Sequence, residues 1–193
     1  MSFRLSTKII GRSAGKSVVN SAAYISRSKL YDDELGKTVK AFNDMLHEIE
    51  QDKIELIQLA YYDPLTHLPN RRMFSERMQL VLESASKDKD NKVALIFMDV
   101  DKFKQINDTL GHDIGDIFLK EFSQRLQSAL PENAMAFRLG GDEFTVIQNE
   151  VLQKADVIKT AEAIYEQIAA PLLVAGTALT MSASLGIVIS DGN

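Results

Sequence analysis

The sequence predicts an α/β fold, an antiparallel-containing sheet with helices on its faces. Three observations lead there. Residues 92–98 form a nearly continuous apolar run, as a strand buried on both faces does. Two further apolar stretches, Met135-Ala136-Phe137 and Phe144-Thr145-Val146-Ile147, meet at a pair of glycines. The segments between and after these strands repeat apolar residues every three or four positions, the helical period.

Taken in order, a helix follows Asn70-Arg71, with Met73, Phe74, Met78, Val81 and Leu82 as its apolar positions. A charged loop at 86–91 leads into the first strand. A second helix is expected over about 117–130, where Phe118, Phe122, Leu126 and Leu130 recur at four-residue spacing. Gly140 and Gly141 read as a hairpin tip where positive φ is tolerated and a phosphate can approach the backbone. A third helix, about 153–170, puts Val157, Ala161, Ile164 and Ile168 on one face, and a strand around 180–189 comes last.

Two acidic clusters point to chemistry. The first strand ends in Asp99-Val100-Asp101, and the hairpin tip carries Asp142-Glu143. Either pair alone is equally the place where a buried strand meets water or a turn is solvated. Neighbouring strands would bring the two pairs together, and opposed carboxylates suit Mg²⁺, which takes one or two carboxylates and completes its shell with substrate phosphates.

From about Tyr62 to Ile189 the chain resembles the GGDEF-domain diguanylate cyclases. The resemblance rests on five motifs in order. Asp63-Pro64-Leu65-Thr66-His67-Leu68-Pro69-Asn70-Arg71-Arg72 matches the opening turn, and Phe97-Met98-Asp99-Val100-Asp101-Lys102-Phe103-Lys104-Gln105-Ile106-Asn107-Asp108 matches the metal strand and nucleotide loop. Leu110-Gly111-His112-Asp113-Ile114-Gly115-Asp116, Arg138-Leu139-Gly140-Gly141-Asp142-Glu143-Phe144 and Ser182-Ala183-Ser184-Leu185-Gly186-Ile187 follow at family spacing. The resemblance implies a βαββαβ core and the condensation of two GTP molecules, one on each of two subunits, into cyclic di-GMP and pyrophosphate. It implies Asp99, Asp142 and the Val100 carbonyl as ligands of Mg²⁺ or Mn²⁺, with Asp142 the candidate base and Glu143 a second-line acid. Asn107 and Asp116 fall at the guanine-reading positions, His112 at a nearby substrate contact, and Lys104 and the Phe103 amide at phosphate contacts, with Gly140 and Gly141 beneath the phosphates. A carboxylate and an amide can pair with the guanine edge. Without the resemblance, Asn107 reads as a helix cap and Asp116 as the N-cap of a helix starting near Ile117.

Two departures from the family pattern stand out. The family's inhibitory product site, an arginine and an aspartate three positions apart, is occupied by Pro131 and Ala134, so feedback through it is not expected. The sequence ends at Asp191-Gly192-Asn193, where the family continues into a helix and strand with phosphate-binding basic residues, which raises a catalytically silent, GTP- or partner-binding module as the alternative.

Residues 33–61 resemble the second helix of a HAMP signalling linker. Val39, Phe42, Leu46, Ile49, Ile54, Leu56 and Leu59 could continue as a helix or short coiled coil that pairs two subunits, so a homodimer is expected. Residues 1–32, through Phe3-Arg4-Leu5-Ser6-Thr7-Lys8, Ala22-Ala23-Tyr24 and Leu30-Tyr31-Asp32, resemble the opening of MobA/MobL relaxases, with Tyr24 at the DNA-cleaving position. That chemistry needs a histidine cluster on a metal, whereas His47, His67 and His112 are scattered, so Tyr24 reads rather as an aromatic on a helix face. The third segment, 62–193, is the cyclase-like domain.

Composition sets the outer bounds. The 193 residues, 45% hydrophobic, suffice for one full-sized domain and a short extra segment. The absence of cysteine excludes disulfides and thiolate metal sites. A net charge of −5 gives no reason to expect nucleic acid as a partner. With no apolar run of about 18 residues and a polar start unlike a secretory signal, the expectation is a cytoplasmic chain that does not span a membrane.

Overall fold

In a computed structural model of the protein, the described residues are 34–85, 92–174 and 177–190. The relaxase-like segment, with Tyr24, lies outside them. The chain divides into two compact units at Lys53/Ile54. Of the first unit the described part is helical, the N-terminal portion of α1 (Glu34–Tyr61). No helix among the described residues is long and apolar enough to cross a membrane.

The second unit begins with the end of α1 and the turn 62–70, whose Tyr62 and Pro69 form an isolated antiparallel bridge. Asn70 caps α2 (Arg71–Ala85): its Oδ1 accepts from the amides of Arg72 (3.0 Å) and Met73 (3.1 Å), satisfying two of the donors that a helix start leaves free. Then come β1 (Lys92–Val100), α3 (Phe103–Leu110), α4 (His112–Ala129), β2 (Ala134–Gly140), β3 (Glu143–Val151) and α5 (Lys154–Ala169). A small hairpin of β4 (Leu172–Val174) and β5 (Thr177–Leu179) precedes β6 (Ala183–Ser190).

The main sheet has the order β2-β3-β1-β6, and every pairing in it is antiparallel. One face of β1 is covered along its length and the other only near its start, where Val93 is buried, while Phe97 and Asp99 stay exposed. Ala94, Ile96, Met98 and Val100 pack with Phe118, Phe122 and Leu126 of α4 and Val157, Ile164 and Ile168 of α5. On the other face Val93, Phe137 and Ile147 meet Val81 and Ala85 of α2. The expected α/β class and the alternation of strands and helices therefore hold.

Three elements differ from the sequence expectation. The segment after β1, expected as a nucleotide loop, is helix α3. Helix α4 begins at His112 rather than near Ile117, with Gly111 (φ 87°) as its N-cap, so Asp116 lies inside the helix and is not its cap. Apolar periodicity finds the buried stretch from Phe118 onward but not the exposed first turn, where His112, Asp113 and Asp116 face water. The β4–β5 hairpin was not anticipated; at three residues each its strands are too short to show a period.

Candidate functional site

The antiparallel register places Asp99 opposite Glu143 of β3 on one side and opposite Ser184 of β6 on the other. The two acidic clusters are thus neighbours across strands, as the sequence anticipates. Asp142 lies in the two-residue turn between β2 and β3, and its carbonyl accepts the Val100 amide at 3.2 Å, which ties the tip to the end of β1. Val100 itself is buried, whereas Asp99 and Glu143 are exposed. Gly140 and Gly141 adopt φ of 142° and 54°, so the tip does need glycine's freedom.

Partial loss of hydration first, although Asp99 is exposed, and then the charges of Asp142, Glu143 and Asp101 hold its carboxyl above the usual carboxylate range. Asp101 is fixed independently: its amide donates to the Ser182 carbonyl at 3.0 Å and its Oδ1 accepts from Ser184 Oγ at 2.8 Å. A cleft of about 560 Å³ opens beside these acids, with Arg71, Phe97, Asp99, Glu143, Ser184 and Gly186 in its walls. Among the described residues no trio of His, Asp or Glu forms a closed metal cage. Carboxylates crowded around Asp99, in an open cleft, fit instead an ion that takes few protein oxygens and leaves positions for substrate.

Two arginines hold the turn, and sequence reasoning gave neither a role. Arg71, the first residue of α2, donates through Nε to the Leu139 carbonyl (3.0 Å) and through Nη2 to Glu143 Oε2 (3.3 Å). Arg138 is buried. It donates through Nε (3.1 Å) and Nη2 (2.7 Å) to the Gly141 carbonyl and through Nη1 to Asp63 Oδ1 (2.7 Å), with its guanidinium 6.0 Å from the Phe144 ring centroid. Asp63 Oδ1 also accepts from the Thr66 amide (2.8 Å) and hydroxyl (2.7 Å). The spacing of Asp63 and Thr66 signals such a local turn; nothing local signals its link to Arg138.

The expected nucleotide-reading residues gather on α3 and α4, which pack against each other. Lys102, at φ 60°, turns the chain out of β1 into α3. Phe103 is half-buried, its ring centroid 6.3 Å from that of Phe118, while Lys104 is exposed. Asn107 is half-buried against Gly115, and its Oδ1 is enclosed without a hydrogen-bond partner. His112 and Asp116 are exposed in the first turns of α4.

The sequence matches the family described as "Diguanylate cyclase, GGDEF domain" over residues 60–193. It is 39% identical over 139 residues to the bifunctional diguanylate cyclase/cyclic di-GMP phosphodiesterase MucR of Pseudomonas aeruginosa, covering 72% of this chain and 20% of MucR. It is 35% identical over 164 residues to the diguanylate cyclase TpbB of the same species, covering 81% of this chain and 38% of TpbB. The chain thus spans well under half the length of these relatives. The solved GGDEF domain of TpbB (YfiN) superposes with a TM-score of 0.64 at 36% identity, over 67% of this chain and 75% of that one. The match embraces the opening turn, both acidic strand ends, the α3–α4 pair and β6, and the chain belongs to the GGDEF-domain diguanylate cyclase family.

Proposed function

We propose that this chain is a diguanylate cyclase. In this reading two copies each present one GTP; each 3′-hydroxyl attacks the other nucleotide's α-phosphorus, forming a P–O bond as the α–β bridge breaks and pyrophosphate leaves. The observation that carries the proposal is the register of β1 on β3, which sets Asp99 opposite Glu143 with Asp142 between the strand ends.

Asp99, Asp142 and the Val100 carbonyl would hold Mg²⁺ or Mn²⁺. Such an ion supplies charge neutralisation at the α-phosphate and the departing pyrophosphate. Asp142 receives the proton of the 3′-hydroxyl, and Glu143, restrained by Arg71, is a second acid beside it. Gly140 and Gly141 leave room for phosphate to approach the backbone, and the Phe103 amide and Lys104 contact phosphate oxygens. Asn107 and Asp116 read the guanine edge, the carboxylate accepting from N1 and N2, with His112 a further substrate contact.

Helix α1 presents exposed apolar side chains, among them Phe42, Ile49, Leu56 and Leu59, suited to pairing with the same helix of a second copy. A HAMP-like origin of this helix and a cytoplasmic setting belong to the same reading. Incubating the purified chain with GTP and Mg²⁺ and separating the products by chromatography tests the whole. Cyclic di-GMP from the parent but not from Asp142→Ala is the expected result. A folded parent that binds GTP without turnover would leave a nucleotide-binding module instead.

A further inference from the structure

Asn107, Gly111 and Gly115 lie on successive turns across the α3–α4 junction. The Asn107 carbonyl accepts the Gly111 amide at 2.9 Å, and the Gly111 carbonyl accepts the Gly115 amide at 3.2 Å. The Asn107 side chain folds onto the same line. A Cβ built on Gly115 would stand 1.9 Å from Asn107 Oδ1, 3.0 Å from its Cγ and 3.4 Å from Phe103 Cζ. The first separation is well inside contact distance, and Gly115 is buried, so the amide would have to leave its place. Apart from proline, glycine is the poorest helix former, and Gly115 has no positive φ that would demand it. The reason for glycine is therefore the space it leaves.

We propose that Gly115 is a positioning residue for guanine recognition. The bare backbone of α4 is the surface on which the Asn107 amide rests, and it sets where that amide meets the base. This inference rests on the reading of Asn107 as a guanine contact. A methyl group at 115 would lift the amide off α4 and spoil its pairing with the base edge, while Asp99, Asp142 and Glu143 at the strand ends stay in place.

The test is a double-mutant cycle in the full chain, with Gly115→Ala, Asn107→Ala and the pair, read by titration with a fluorescent GTP analogue and its inosine counterpart and by thermal unfolding. Asn107→Ala is expected to weaken GTP binding roughly tenfold, the loss of one or two hydrogen bonds. Gly115→Ala should weaken it similarly while leaving the preference for guanine over hypoxanthine, which the Asp116 carboxylate reads at N2, in place, and should add nothing in the Asn107→Ala background. There the clash is gone, and the unfolding midpoint should rise through alanine's better helix propensity. Equal losses from Gly115→Ala in both backgrounds, or parent-like binding by Gly115→Ala, would overturn the proposal. If Asn107→Ala binds as the parent does, the guanine reading itself fails and this inference falls with it. If Gly115→Ala alone is too unstable to titrate, recovery of stability in the double variant supports the collision, and no recovery overturns it.

Discussion

Arg138 Nη1 lies 2.7 Å from Asp63 Oδ1, an ion pair across 75 residues that joins the opening turn to the glycine hairpin. Both side chains are largely out of water, at 9% and 19% exposure, so neither partner is readily rehydrated if the other is removed. Breaking such a pair costs about 3–5 kcal/mol when the remaining charge is fully buried, and less with the partial access Asp63 keeps. Arg138→Ala should therefore lower unfolding free energy by about 2–3 kcal/mol in urea titrations. A change under about 0.5 kcal/mol would show that the pair is dispensable.

The same pair gives stability a defined acid limb. Burial pushes the Asp63 carboxyl up, but hydrogen bonds from Thr66 and Arg138 outweigh it, so its folded value lies below the usual carboxylate range. The unfolded chain then binds the proton first, and this contribution is present above the unfolded value of about 3.9 and is lost as pH falls through the folded one. Asp63→Asn should be less stable than the parent at pH 6 and converge with it in acid. A constant difference between the two across pH 2–6 would refute the assignment.

Asp99 has the opposite sign. Its carboxyl is raised, so ionising it opposes folding at neutral pH, and this penalty disappears as pH falls below the unfolded value. Without divalent cation, Asp99→Asn should unfold at a slightly higher temperature than the parent at pH 7, and with Mg²⁺ the parent should regain the difference. Under the proposed function the variant should also lose cyclase activity. A lower midpoint for Asp99→Asn in chelator would contradict the crowding of carboxylates.

The two tip glycines should not tolerate substitution equally. Gly141 has a left-handed φ of 54° that asparagine visits, whereas the φ of 142° at Gly140 is one that side chains avoid. Gly141→Asn should cost under about 1 kcal/mol and Gly140→Asn about 1–3 kcal/mol. Equal costs by chemical denaturation would mean that the turn refolds around either residue.

Legibility in the sequence followed the range of the interactions. The continuous run of β1, the Gly140-Gly141 turn and the meeting of Asp99 with Glu143 could be read because each follows from a local pattern plus strand pairing. Helix α5 was nearly complete because Val157, Ile164 and Ile168 mark its buried face; Gln153 and Asp156 close a capping box at its start. Helix α4 was read too short because its start, from His112 to Asp116, shows no apolar period, and the reason for Gly115 there is Asn107, eight residues away on another helix. The reach of Arg71 to Leu139 and of Arg138 to Asp63 was invisible for the same reason: an arginine's partner 68 or 75 residues distant leaves no period or spacing.

Those clamps have a thermodynamic consequence. With the Leu139 and Gly141 carbonyls both held by guanidinium groups, the loop that carries Asp142 has already lost its conformational freedom when the domain folds. A ligand arriving at the acids would then have little ordering left to impose, so its binding entropy should be dominated by released water rather than by a stiffening chain.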